Sequence, residues 1–205
     1  MNYKETLFFI GKCLTISYEE HNFSIVEKQI KSDQINWDNV VKVATAHYVF
    51  PALYCNLKRK NLTQHLPKEL VAYMKHITDL NRERNTQIIE QAKEINELLL
   101  ANNIKAVFLK GTSYLLQGLY EDIAERMVGD IDFLVQKNQY QKTINLLKNN
   151  LYKTNVKDKH IIFKSIHYPK MVKDGAICAI EIHHKIILSK YSNSLLLRRY
   201  KRGLS

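Results

Sequence analysis

The pattern of apolar and polar residues changes near residue 104. Before that point apolar residues recur every three or four positions, which predicts amphipathic helices over residues 1–105. Asn36 is a predicted N-cap, and Pro51 suits the first turn of a helix over 52–60. A further apolar stripe over 70–99 is interrupted by a polar gap at 81–87, so this stretch forms either one long helix or two.

After residue 104 short apolar runs alternate with helical segments. We therefore expect an α+β protein, with a helical N-terminal part over 1–104 and a core over 105–205 that contains a small mixed sheet. The last residues begin a helical pattern that stops at Gly203, and we expect a core truncated at its C-terminus. The predicted strands are Ala106–Leu109, Ile131–Val135, Ile161–Ser165 and Ile177–Ile182, and the predicted helices are Thr112–Leu119 and Asn138–Asn149.

Composition limits the class of protein. With 205 residues and 45% hydrophobic residues, the chain can bury a core in one domain or in two small ones. Its three cysteines lack C-x-x-C spacing and indicate neither a disulfide framework nor a zinc site, so a cytoplasmic location is expected. No signal peptide is evident and no apolar run approaches the roughly 20 residues that span a bilayer, so no membrane partner is expected.

The net charge of +11 is unevenly distributed. Residues 1–132 contain 16 Lys/Arg and 17 Asp/Glu, whereas residues 133–205 contain 15 and 3. The positive electrostatic field of residues 133–205 favours a polyanionic partner: a nucleoside triphosphate, a nucleic acid such as RNA, or an acidic protein surface. Lysine on solvated faces, supplied by an AT-biased genome, explains the imbalance equally well.

Two acidic residues, Asp130 and Asp132, flank Ile131 at the start of a predicted strand. Because side chains on a strand alternate between faces, the two carboxylates point the same way, about 6–7 Å apart. They repel each other unless a cation lies between them. Since Mg²⁺ binds one or two carboxylates together with substrate phosphates, the pair predicts a metal–nucleotide site.

A candidate phosphate-binding turn, Lys110-Gly111-Thr112-Ser113, lies where a predicted strand meets a helix. Glycine lets the backbone approach a ligand closely, and free N–H groups at a helix start favour a phosphate. Thr112 or Ser113 could equally serve as the helix cap. The residue order differs from a P-loop, so a phosphate loop of another kind is required.

A third carboxylate, Glu181, lies on the last predicted strand between two isoleucines. Strand alternation puts Glu181 and His183 on the face opposite those isoleucines. Since a buried glutamate is costly without a cation, a functional role is favoured over a structural salt bridge. For His183 and His184, packing is the more frequent role, and contact with substrate or metal is the alternative.

Together these residues resemble the DNA polymerase beta-like nucleotidyltransferase superfamily, and more closely a bacterial family of uncharacterised nucleotidyltransferases. The helical stretch over residues 36–54 is similar to that family's lead-in, so the resemblance covers about residues 35–190. In that stretch Trp37 and His47 are expected to be core and helix-end residues. The matching motifs are Leu109-Lys110-Gly111, Leu119-Tyr120, Arg126, Asp130-Ile131-Asp132 and Glu181-Ile182-His183.

The resemblance implies a polymerase-beta-like core and a set of site residues. Asp130, Asp132 and Glu181 would be the catalytic residues and the ligands of Mg²⁺ or Mn²⁺, with one ion bridging the triphosphate and another lowering the pKa of the attacking hydroxyl. For Arg126, an ion pair with a neighbouring acid at 121, 122 or 125 is an equal alternative. The implied nucleotide-binding residues are Lys110, Gly111, Thr112, Ser113 and Arg126.

The implied function is a metal-dependent nucleotidyltransferase that moves a nucleotide from a nucleoside triphosphate to an acceptor and releases pyrophosphate. The motifs do not identify the acceptor, which is RNA (tRNA included), a protein hydroxyl or a small molecule. The alternatives are a catalytically silent nucleic-acid-binding module of the same fold, and one half of a toxin–antitoxin or other regulatory pair.

Overall fold

The computed structural model describes residues 1–154 and 166–186, and these residues form a mostly helical α+β protein, as expected. Short 3₁₀ helices lie at Leu62–His65, Ile123–Glu125 and Lys137–Gln139. The helices are α1 (Tyr3–Cys13), α2 (Glu20–Lys31), α3 (Trp37–Ala46), α4 (Phe50–Arg59), α5 (Lys68–Ala101), α6 (Lys110–Leu116) and α7 (Tyr140–Asn149). The strands are β1 (Ala106–Phe108), β2 (Ile131–Val135) and β3 (Ile180–His183). The predicted strand Ile161–Ser165 lies outside the described residues.

The first of two compact units comprises Met1–Gln87 and Tyr114–Val128. Its core is formed by buried apolar side chains of the N-terminal helices. The Asn36 side chain caps α3, as predicted, by accepting a hydrogen bond from the Asn39 N–H at 3.0 Å. The predicted helix around Pro51 is α4, which holds the proline in its first turn.

Two aromatic residues of the first unit have the structural roles predicted for them. Trp37 packs edge-on against Phe9, with ring centroids 6.1 Å apart. His47 ends α3, and its ring nitrogen lies 2.9 Å from the Tyr3 hydroxyl. Trp37 therefore contributes to packing of the helical unit, and His47 is an exposed residue at the end of a helix.

Helix α5 is one uninterrupted helix of 34 residues, and its polar gap contacts a loop of the first unit. The buried Asn81 amide donates to the carbonyls of Ala124 and Arg126 at 2.7 and 3.1 Å. The buried Asn85 amide donates to the carbonyls of Ile123 and Arg126 at 2.6 and 2.7 Å. Polar residues here satisfy loop carbonyls that would otherwise be unpaired.

Two arginines extend this network. Arg84 donates to the Val128 carbonyl, and Arg82 forms hydrogen bonds of 3.0 and 2.7 Å with the Asp122 carboxylate. We call Asn81, Arg82, Arg84 and Asn85, with the loop 122–128 that they hold, the polar clamp.

The second compact unit comprises Ile88–Ser113 and the described residues from Gly129 onward. Its sheet has the order β1-β2-β3, with β1 antiparallel and β3 parallel to β2, so the sheet is mixed as expected. Buried residues of the sheet include Ile131, Phe133 and Ile182. None of the helices within the described ranges is both long and apolar enough to cross a bilayer.

Two of the predicted element boundaries differ from the observed ones by three residues. Strand β3 begins at Ile180 rather than at residue 177, because the backbone of Cys178 is hydrogen-bonded to a side chain instead of a strand. The Gln91 amide donates to the Cys178 carbonyl at 3.0 Å and accepts from the Cys178 N–H at 3.2 Å. Helix α6 ends at Leu116 rather than at residue 119, and Gly118 follows it with a left-handed φ of 64°. Glycine adopts that conformation readily and ends helices.

Candidate metal and nucleotide site

The strand register of β2 and β3 brings acidic side chains together. Asp132 pairs with Glu181 across the two parallel strands, so their side chains emerge on the same face. Both side chains are buried, with exposed fractions of 7% and 9%. Asp130 precedes β2 by one residue and follows the same alternation, but its side chain is more exposed. We call these three carboxylates the carboxylate cluster.

Two lysine ammonium groups lie within the carboxylate cluster. Lys110 Nζ is 2.6 Å from Asp132 Oδ1 and 3.8 Å from Glu181 Oε2. Lys170 Nζ is 2.6 Å from Asp130 Oδ2 and 3.8 Å from Glu181 Oε1. Each ammonium therefore bridges two carboxylates, and Glu181 shares one oxygen with each lysine.

The turn after β1 places Lys110. The Leu109 N–H donates to the Asp132 carbonyl at 2.9 Å, which continues the pairing of β1 with β2. Lys110 itself has a left-handed φ of 51°, an uncommon conformation for a residue with a side chain. The buried Thr112 hydroxyl donates to the Asp130 carbonyl at 3.2 Å. One hydrogen bond from Leu109, just before the predicted phosphate turn, and one from Thr112 within it thus connect the turn to the backbone of Asp132 and Asp130.

Lys170 lies in a segment that runs along the other edge of β3. The Tyr168 N–H donates to the Ile182 carbonyl at 2.8 Å, and Met171 exchanges two hydrogen bonds of 3.0 and 2.9 Å with Ile180. Sequence reasoning missed Lys170. It is one of 15 basic residues after residue 132, and no motif distinguishes it from the others.

His183 on β3 contacts the carboxylate cluster. Its Nε2 is 2.9 Å from Asp132 Oδ1 and 3.6 Å from Glu181 Oε2, and its buried Nδ1 has no hydrogen-bond partner among the described residues. Burial raises the pKa of the Asp132 carboxyl, but hydrogen bonds from His183 and Lys110 outweigh it and hold that pKa at about 2. Asp132 is therefore ionised at neutral pH.

His184, in contrast, packs against the ring of Tyr140. Its ring centroid is 4.5 Å from that of Tyr140, and burial lowers the pKa of its imidazole. Of the two histidines considered from sequence, His184 has a packing contact and His183 contacts acidic side chains.

The chemistry of these side chains fits a divalent metal ion. Ligand atoms of Asp132, Glu181 and His183 all lie within 4.8 Å of one another. Carboxylate oxygens suit Mg²⁺ and Mn²⁺, and imidazole nitrogen is a frequent ligand of transition metals. Among the described residues this candidate group contains two of the predicted ligands, Asp132 and Glu181, and also His183. The third predicted ligand, Asp130, is outside this group and is linked to Glu181 by Lys170, which contacts both carboxylates.

Arg126 belongs to the first unit, where its carbonyl is held by the polar clamp. Among the described residues, the three acids considered as its ion-pair partners contact other arginines. Glu121 and Glu125 lie 2.6 and 2.5 Å from Arg59, and Asp122 pairs with Arg82. A role of the exposed Arg126 side chain in nucleotide binding stays a prediction.

Comparison with known protein families assigns the chain to one family. The family described as "uncharacterised nucleotidyltransferase" matches residues 33–202, which is most of the chain, so the protein belongs to this nucleotidyltransferase family. No curated protein and no solved structure matches the chain.

Proposed function

We propose that this member of the uncharacterised nucleotidyltransferase family transfers a nucleotide from a nucleoside triphosphate to an acceptor hydroxyl and releases pyrophosphate. The hydroxyl oxygen forms a bond to the α-phosphorus, and the bond from that phosphorus to the bridging oxygen of the β-phosphate breaks. The hydroxyl proton leaves to solvent. Catalysis of such in-line transfer comes mainly from positioning and charge stabilisation, which are the tasks of the residues below.

The observation that carries this proposal is the carboxylate cluster. Asp132 and Glu181 are buried side by side on adjacent strands, and Asp130 follows the same face. Buried like charges are unfavourable unless cations offset them, so the arrangement is suited to cation binding rather than to stability. In this proposal Asp130, Asp132 and Glu181 are the catalytic metal ligands, with His183 beside them.

The implied cofactor is Mg²⁺ or Mn²⁺. When bound, a divalent ion neutralises charge on the triphosphate and lowers the pKa of the acceptor hydroxyl. The residues of the chain would supply carboxylate oxygens as ligands near the start of β2 and β3. The low pKa of Asp132 supports this role, because the carboxylate is available without loss of a proton at neutral pH.

The nucleotide-binding residues of the proposal are Lys110, Gly111, Thr112, Ser113 and Arg126. The exposed ammonium of Lys110 beside Asp132 supports a role in binding phosphate next to the metal. The bond from Thr112 to the Asp130 carbonyl supports a positioning role for that hydroxyl. Residues 105–205 would form the polymerase-beta-like core and residues 1–104 the helical part.

The acceptor in this proposal is RNA (tRNA included), a protein hydroxyl or a small molecule. The 15 basic and 3 acidic residues over 133–205 favour a polyanionic acceptor, so RNA is the first to test. Salt-sensitive RNA binding would agree with that choice.

The direct test incubates purified protein and Mn²⁺ or Mg²⁺ with each α-labelled nucleoside triphosphate and acceptors of the three classes. We expect label transfer with an equal release of pyrophosphate, and its loss in Asp132→Asn. The matched control is Asp174→Asn, which removes an exposed carboxylate of the same unit and should leave transfer unchanged. No transfer by wild type with any triphosphate, together with salt-sensitive RNA binding, would support the silent binding module instead.

A further inference from the structure

We propose that Lys110 and Lys170 are exchangeable counter-ions, which neutralise the carboxylate cluster in the metal-free protein and compete with a divalent ion for the same oxygens. On this view they leave the carboxylates when metal and nucleotide bind, and then pair with the triphosphate. The inference rests on the proposed function, because it concerns the metal and the triphosphate of that reaction.

The first support is the arrangement of charges. Two ammonium groups lie among three carboxylates, each 2.6 Å from one aspartate and 3.8 Å from a different oxygen of Glu181. A divalent ion held by Asp132 and Glu181 would bind carboxylates that the two ammonium groups already contact. Because a metal ion and an ammonium at such short range repel each other and compete for the same carboxylates, binding of the metal displaces the lysines.

The second support is the contrast in exposure between the two signs of charge. The side chains of Asp132 and Glu181 are less than a tenth exposed, whereas those of Lys110 and Lys170 are 59% and 55% exposed. Ion pairs with exposed lysines contribute little stability, and a lysine arm has many accessible rotamers in water. The buried carboxylates of Asp132 and Glu181 are therefore the fixed partners, and the lysines are the partners that yield to a divalent ion.

The third support is the backbone that carries each lysine. The backbone beside Lys110 is held by the hydrogen bond from the Leu109 N–H to the Asp132 carbonyl of β2, and by that from the Thr112 hydroxyl to the carbonyl of Asp130, just before β2. The backbone beside Lys170 is held by the hydrogen bonds of Tyr168 and Met171 with β3. Because both backbones are fixed beside the cluster, exchange requires only rotation of two side chains. The ammonium groups stay within reach of an incoming polyanion after they leave.

This arrangement predicts positive coupling between metal and nucleotide. A triphosphate that attracts the lysines removes the competitors of the metal, and the metal in turn releases lysines for the triphosphate. Such coupling is reciprocal, so each ligand raises the affinity for the other by the same factor. The lysines thereby favour joint binding of metal and nucleotide over binding of metal alone.

The test measures Mn²⁺ affinity by electron paramagnetic resonance, with and without a non-hydrolysable triphosphate. The variants are Lys110→Gln and Lys170→Gln, and the control is Lys153→Gln, an exposed lysine of the same unit that pairs with Asp174. Without nucleotide, we expect both cluster variants to bind Mn²⁺ about three- to tenfold more tightly, the effect of one unit charge a few ångströms away. Lys153→Gln should stay within about twofold of wild type.

Two further readouts separate competition from a general charge effect. The factor by which the triphosphate raises Mn²⁺ affinity should be smaller in both cluster variants than in wild type and Lys153→Gln. In metal chelator the cluster variants should melt about 1–4 °C below wild type, because unshielded carboxylates repel, and saturating Mn²⁺ should remove the difference.

The outcomes distinguish this inference from the proposed function. Nucleotide transfer by wild type, with Mn²⁺ affinity in both lysine variants equal to or weaker than wild type, overturns the exchange and leaves the function standing. Tighter Mn²⁺ binding by both variants without transfer by wild type supports the exchange and contradicts the reaction. Absence of Mn²⁺ binding in wild type and in every variant overturns both.

Discussion

The polar clamp and the carboxylate cluster both bury polar side chains, but their partners differ in kind. In the clamp the amides of Asn81 and Asn85 donate to backbone carbonyls, which cannot leave and carry no net charge. In the cluster Asp132 and Glu181 lie beside each other, and exposed lysines offset them. Complementary fixed partners stabilise a fold, whereas like charges with movable partners leave a site ready for a ligand. The kind of partner, rather than burial, separates structural from ligand-binding polar groups.

The largest expected effect tests the ligand-binding side of this contrast. Glu181→Gln should weaken Mn²⁺ binding by more than about a hundredfold, since even outer partners of metal ligands are worth ten- to a hundredfold. Its stability in metal chelator should match or exceed that of wild type, because the substitution relieves repulsion from Asp132. Mn²⁺ titration and urea unfolding measure the two quantities. A destabilised variant with normal Mn²⁺ affinity would make the cluster a second structural network.

Next in size is the effect of removing a clamp amide. Asn85→Ala should lower the free energy of unfolding by about 1–3 kcal/mol, because the part-buried Ile123 carbonyl loses its donor. The Arg126 carbonyl keeps the bond from Asn81. Urea unfolding provides the measurement, and Mn²⁺ affinity should be unchanged. The control is Asn96→Ala on the same helix, expected to stay within about 0.5 kcal/mol of wild type. Equal stability of the two variants would contradict the structural role of the clamp.

The clamp also predicts a dependence of stability on pH. Burial raises the pKa of Asp122, but hydrogen bonds from Arg82 and the Ala124 N–H outweigh it and hold that pKa below its ordinary value of 3.8. A lowered pKa means that the folded state binds fewer protons than the unfolded state. The contribution of Asp122 to the free energy of unfolding is therefore fully present above pH 3.8. It is lost as the pH falls through the lower pKa that Asp122 has in the folded state.

Asp122→Asn checks this dependence. Relative to wild type, its free energy of unfolding should vary less between about pH 5 and pH 3, while above that window the variant should be the less stable protein. Urea unfolding at a series of pH values gives both slopes, and the contribution of Asp132 is common to the two proteins. Parallel pH profiles would show that the bond from Arg82 does not depend on the charge of Asp122.

The smallest expected effect concerns a hydrogen bond to a backbone carbonyl inside the candidate site, of the same kind as those in the polar clamp. Thr112→Val removes the hydroxyl that donates to the Asp130 carbonyl and should cost about 1 kcal/mol of folding free energy. Thermal and urea unfolding measure that loss, and triphosphate affinity is measured in parallel. Weaker triphosphate binding at unchanged stability would assign the Thr112 hydroxyl to the nucleotide rather than to the strand.

Local features were readable from the amino-acid order. The α+β class, the Asn36 cap and a strand over residues 131–135 follow from periodicity and capping, which involve residues only a few positions apart. The motif residues that resemble nucleotidyltransferases belong to the same category, and the family match agrees with them. The places of Lys110, Gly111, Thr112, Ser113 and Arg126 in nucleotide binding stay predictions.

The contacts that distinguish clamp from cluster arise between distant parts of the chain. Asn81 bonds a carbonyl 43 positions away, which explains a polar gap that in the sequence left open whether the stretch forms one helix or two. Lys170 reaches Asp130 across 40 positions, and His183 reaches Asp132 across 51. Periodicity carries no information about such partners, because it reports which face a residue occupies and not what lies opposite. Strand pairing and loop docking bring these groups together, and their charges then make one region structural and the other suited to a cation.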